Sequence, residues 1–82
     1  MPTVWRYRGY RFFFFSNERG GRPHIHVERS GKYAKFWLRP VALARCEGFV
    51  AHELTRIRRI IEHNRARLED AWREFFKGES SG

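Results

Sequence analysis

Two alternating runs, HIHVER at 24–29 and KYAKFWL at 32–38, flank Ser30-Gly31, and this spacing leaves the chain few ways to fold. A two-residue connection closes an antiparallel hairpin in a fixed register, here with Arg29 opposite Lys32. Counting outwards, Val27 faces Ala34 and Ile25 faces Phe36 on one side of the ribbon. On the other side Glu28 faces Tyr33, His26 faces Lys35 and His24 faces Trp37. The first set is apolar and the second largely polar, and a slip of one residue would mix them. The pattern therefore predicts a sheet with one buried face, and it puts His24 and His26 together on the outward side.

The neighbouring segments extend that sheet. Thr3 to Tyr7 and Tyr10 to Phe15 are β-branched and aromatic runs separated by Arg8-Gly9, the pattern of a first hairpin. Ser16 to Pro23 is polar, with two glycines and a proline, and reads as a loop. Pro40 ends the strand before it, and Val41 to Cys46 reads as a further short strand, with a helical turn as the alternative. Gly48 breaks the chain ahead of a helix from Ala51 to Lys77. Within it Leu54, Ile57, Ile61, Asn64, Leu68, Ala71 and Phe75 recur at spacings of three and four, with Ile60, Trp72 and Phe76 widening the stripe. Such a helix spans about 39 Å, more than a small sheet covers. It is expected either to bend near His63-Asn64 or to offer its overhang to an unlike partner or a second copy. Gly78 is the expected stop signal. The fold class is α+β: an antiparallel β-meander of four to five strands packed on one long C-terminal α-helix, in a single domain over 1–77 with a flexible tail over 78–82. The outer sheet face is left with no element to cover it.

The 82 residues suffice for one modest core. With 41% hydrophobic and 17% aromatic residues, the composition excludes the disordered class. Cys46 stands alone, so no disulfide framework or multi-cysteine metal site forms within one chain. The amino terminus lacks the apolar segment of a signal peptide, and the longest apolar run, Phe12 to Phe15, is far short of a membrane span. A cytoplasmic protein without membrane partners is the expectation. The formal charge of +8 favours polyanionic partners, either nucleic acid or an acidic protein. Through residue 50, ten Lys/Arg oppose three acids; from 51 to 77, seven oppose five, with Glu62–Arg58 and Glu69–Arg65 or Glu69–Arg73 at pairing distance along the helix. The basic field is thereby assigned to the sheet half.

Three chemistries suit the paired histidines. His24, His26 and Glu28 alternate along one strand face as metal ligands would, but successive positions lie roughly 7 Å apart and no outer ligand stands opposite. Lys35 would also repel a cation, so no metal and no cofactor is expected. Acid–base cleavage of RNA through its 2′-hydroxyl needs a histidine, a second proton-transfer group and a cation for the phosphate. His24, His26, Tyr33 and Lys35 supply those types as candidate catalytic residues. Arg22, Arg29, Lys32, Trp37 and Arg39 are the candidates for nucleic-acid binding, since cations interleaved with aromatics suit phosphate contact plus base stacking. The alternative stays open that the histidines are strand-face polar residues hydrogen-bonded locally, and that Tyr33 and Trp37 shield the sheet. His52 and His63 read as helix surface residues.

The segments "MPTV", "GYRFFFFSNE", "PHIHVERSG", "AKFWL-P", "GF-A-EL" and "RLE-AWREFF" resemble, over nearly the whole chain, domain of unknown function 4160. That family comprises small prokaryotic proteins without established activity, often encoded beside another small protein, which implies a toxin-antitoxin-like gene pair. Its Pro-Pro-His-x-His-Val hallmark is matched by Pro23, His24, His26 and Val27, with Arg22 where the first proline usually stands. The resemblance supplies no verified catalytic residue. The expected role is an RNA-directed, toxin-like component, with RNA a better candidate than DNA and a metal-independent endoribonuclease as its enzymatic form. The alternative is a non-enzymatic module that binds nucleic acid or a protein partner.

Overall fold

The computed structural model describes residues 3–14 and 22–80, with side chains for 5–14 and 22–75. Five strands, β1 (Thr3–Tyr7), β2 (Tyr10–Phe13), β3 (His24–Arg29), β4 (Lys32–Leu38) and β5 (Val41–Glu47), precede two helices, α1 (Ala51–His63) and α2 (Arg65–Ser80). The strands form an antiparallel meander in the order β1-β2-β3-β4-β5. The α+β class thus holds, and Val41–Glu47 is a strand.

Turn chemistry sets the register. Ser30 and Gly31 have φ of 49° and 78°, and Arg8 and Gly9 have 50° and 85°. Two successive positive φ values give the mirror-image turn whose twist matches the flanking strands, and a glycine in the second position takes it without a Cβ penalty. The pairing of β3 with β4 matches the expected one throughout, from Arg29 opposite Lys32 to His24 opposite Trp37. Phe12 pairs with Val27 and Phe13 with His26, so β2 presents Phe12 to the core and Phe13 to the outer face.

The core follows from this alternation. Phe12, Phe14, Ile25, Val27, Ala34, Phe36 and Leu38 are buried together with Ile57 and Ile61 of α1 and Leu68 and Trp72 of α2. Burial of this apolar stripe, at about 25 cal/mol per Å², is the main force holding the helices to the sheet.

The single long helix of the expectation is corrected to two. The interruption falls at Asn64, the one polar member of the stripe, whose φ is −119° and whose side-chain amide donates to the Ile60 carbonyl at 2.8 Å. This bond satisfies a carbonyl at the helix end. Past the break Leu68 and Trp72 are buried, so this part of the expected overhang is docked. Helix α2 also runs through Gly78 to Ser80 rather than stopping at Gly78. Phe15, most of the Ser16–Pro23 loop, the Phe76 side chain and residues 81–82 lie outside the described residues.

Candidate nucleic-acid interface

His24 and His26 do share the outer face, but that face is not open. Their relative exposures are 3% and 1%, which corrects the expectation that they meet solvent. The cover is aromatic. Phe13 stacks on the His26 ring at 5.3 Å and Tyr33 at 5.7 Å, so three rings from β2, β3 and β4 form one row. His24 stands edge-on to His26 at 5.0 Å and to Trp37 at 5.8 Å, with Trp72 of α2 at 4.8 Å. Both imidazoles are hydrogen-bonded locally. Nδ1 of His24 lies 2.8 Å from the Arg22 carbonyl, which only accepts, so this nitrogen carries a proton and donates. Nδ1 of His26 lies 2.7 Å from the Tyr33 hydroxyl, with the direction set by the tautomer. Buried polar groups fixed in this way are expected of a packed layer.

The remaining candidates divide. Arg22 and Lys35 lie over Trp37, 4.2 and 4.7 Å from its ring centre, and complete a cluster with the histidines and Tyr33. Arg29, Lys32 and Arg39 are not gathered there. Arg29 covers the Tyr10 ring at 4.9 Å, and Lys32 pairs with Glu53 of α1 at 3.4 Å. Arg39 pairs with Glu69 of α2 at 3.1 Å. The hydrogen bond and charge of Glu69 raise the Arg39 pKa. Glu69 is held below the usual carboxylate range by its hydrogen bond from Arg39 and by the charges of Arg39, Arg65 and Arg73, against an opposing desolvation effect.

These pairings move the cationic surface. Two carboxylates counted with the helix, Glu53 and Glu69, are taken up by sheet-half cations. The Glu62–Arg58 pair does not form among the described residues, and Glu69 does meet Arg65 at 3.7 Å. Among the cations without a carboxylate partner in the described residues, Arg56 and Arg59 of α1 line a groove of about 630 Å³ between that helix and the tip of the first hairpin. Tyr7, Arg8, His52 and His63 complete its charged and aromatic lining, and no carboxylate lines it. Positions 52, 56, 59 and 63 fall on one helical stripe, spanning about 16 Å. Arg8 lies over the Tyr7 ring at 5.3 Å, and hydrogen bonding and charge from that side chain raise its pKa. Sequence reasoning passed over this site; the spacing of His52, Arg56, Arg59 and His63 was its available signal.

Comparison with known proteins adds the family. The model described as Domain of unknown function (DUF4160) matches residues 9–73 of the 82. The chain belongs to this family. No curated protein and no solved structure matches it. The match to the DUF4160 family runs from the first hairpin to Arg73 of α2, and so takes in both the histidine cluster and the α1 stripe of the groove. Family membership leaves the activity to be argued from the site. Among the described residues no group of three or more His, Cys, Asp or Glu is placed to hold a metal, and no helix is long and apolar enough to cross a membrane.

Proposed function

We propose that this domain is a nucleic-acid-binding module, with RNA the expected ligand, that holds a phosphate backbone in the groove between the first hairpin and α1. The observation that carries the reading is a recess lined by Arg8, Arg56 and Arg59 with no carboxylate among them. Arginine's planar fork suits phosphate oxygens, and the overall charge of +8 steers a polyanion toward the molecule. The toxin-antitoxin-like gene setting implied by the family resemblance supplies a context for RNA binding. Cleavage at His24 and His26 has less support, because a scissile phosphate would have to reach imidazoles enclosed by Phe13, Tyr33, Trp37 and Trp72. Burial of the pair favours a packing role.

Binding of a labelled RNA oligonucleotide, followed by anisotropy across a salt series, tests the reading. Each phosphate neutralised contributes a slope of roughly −0.7 to −0.9 in log K against log salt. Arg56→Gln with Arg59→Gln is expected to reduce that slope by about 1.4 to 1.8, one phosphate for each arginine. Arg22→Gln with Lys35→Gln is expected to leave it in place. The reverse pattern would return the interface to the outer sheet face.

A further inference from the structure

The groove has a second property that bears on which form of nucleic acid it takes. Its rim residue Tyr7 is exposed, at 37% relative exposure, and presents an aromatic ring with a polar tip at the edge of the groove. That ring is backed. Trp5 stacks on it at 5.1 Å and 25°, and Trp5 in turn lies against buried Phe12 at 4.9 Å. Guanidinium groups stand at both ends of the stack, Arg67 of α2 over Trp5 at 5.0 Å and Arg8 over Tyr7 at 5.3 Å. The result is a ladder of Arg67, Trp5, Tyr7 and Arg8 running along β1, the edge strand, beside the cationic stripe of α1.

We infer that this ladder makes the groove selective for single-stranded nucleic acid, with an unpaired base taking the place of the exposed Arg8 guanidinium on the Tyr7 ring while Arg56 and Arg59 hold the adjoining phosphates. The inference rests on the groove being the nucleic-acid interface. A platform fixed from behind by Trp5 and Phe12 loses little freedom when a base lands on it, whereas a duplex keeps its bases stacked on each other and offers the ring only backbone. Cationic tracks bordered by aromatic rings are the general means of holding single strands without reading sequence. Arg8, once displaced from over the ring, has its planar fork beside the platform, where the phosphate next to a stacked base has to be met.

The test is anisotropy with a labelled uridine-rich RNA dodecamer, the corresponding single-stranded DNA, the RNA duplexed with its complement, and polyglutamate as a competitor. Single strands are expected to bind at least about tenfold tighter than the duplex. Tyr7→Leu is expected to weaken single-strand binding by roughly 5- to 150-fold, the range for loss of one base stack, with duplex binding unchanged. Tyr7→Trp, which keeps a platform and guards against misfolding of the leucine variant, is expected to retain single-strand preference. Arg56→Gln with Arg59→Gln weakens both forms. Equal affinity for single strand and duplex, or unchanged single-strand binding by a folded Tyr7→Leu, overturns the inference and leaves the groove as a phosphate site. Failure of every nucleic acid to bind, or competition by polyglutamate as strong as that of RNA, removes the groove reading itself in favour of an acidic protein partner.

Discussion

At the scale of single residues, His26 shows how a polar side chain comes to be packed as though it were apolar. Phe13 and Tyr33 flank its ring, and the Tyr33 hydroxyl meets its Nδ1 at 2.7 Å. Tyr33→Phe keeps the stack and deletes only that hydroxyl. It is expected to cost about 1 to 3 kcal/mol, the penalty for depriving a buried polar atom of a partner, as read from urea unfolding. A change within a few tenths would mean that the hydroxyl contributes nothing net. Glu69 makes a different residue-level prediction, one in pH. Its folded-state pKa is depressed, so its contribution to stability is present in full above the ordinary glutamate value and disappears as the pH falls through the folded one. Glu69→Gln should therefore unfold at lower urea than the parent at neutral pH and converge with it in acid. A gap that persists or widens in acid contradicts the sign. The register placing His26 on the outer face was legible in the Ser30-Gly31 spacing; its burial was not. Four consecutive phenylalanines, Phe12 to Phe15, carry no alternation, so nothing in their pattern assigned Phe13 to the face opposite the core.

At the scale of elements, the two helices hold to the sheet through a few fully buried side chains. Ile61 is inaccessible to solvent at the end of α1, and Ile61→Ala is expected to cost about 2 to 5 kcal/mol in chemical unfolding. A loss under about 1 kcal/mol would show that the site collapses around the cavity. Asn64 carries the junction. Asn64→Ala removes the amide that donates to the Ile60 carbonyl and should cost about 1 kcal/mol with an unchanged dependence on denaturant. A stabilised Asn64→Ala would mean instead that the break is a strain imposed by packing. The helical stripe and the place where it yields, near His63-Asn64, were readable from the sequence, but its division into two helices was not, since a lone Asn in the stripe is equally compatible with a continuous bent helix. Nor was the continuation of α2 through Gly78. Glycine lowers helix propensity by only about 1 kcal/mol, a preference that neighbouring turns override.

At the scale of the whole molecule, counting charge along the chain and locating it in space lead to different maps. By sequence the first fifty residues hold the excess and the helical region nearly balances. In the fold, Glu53 reaches across to Lys32 and Glu69 to Arg39, while Arg11 and Arg45 find Glu28 and Glu47 within the sheet. Four sheet-half cations are thus answered by carboxylates, whereas Arg56, Arg58 and Arg59 of α1 meet none among the described residues. Pairing between elements is decided by tertiary geometry, which is why this half of the candidate site could not be read in advance. The map makes a prediction about kinetics. Glu28 and Glu47 lie on the outer sheet face, their side chains 48% and 54% exposed, with the sheet between them and the helix layer. Replacing both with Gln raises the formal charge from +8 to +10 without touching the groove, since two carboxylates are removed. Packed layers lie about 10 Å apart, whereas the screening length is about 8 Å at 0.15 M salt and about 30 Å at 0.01 M. Stopped-flow association of an RNA oligonucleotide with the double variant should therefore be faster than with the parent at the lower salt and equal to it at the higher, with dissociation unchanged at both. Slower dissociation, or an advantage that survives at 0.15 M or above, would mean that the nucleic acid touches the outer face after all, and the cluster of Arg22, Lys35 and Trp37 would be where to look for it.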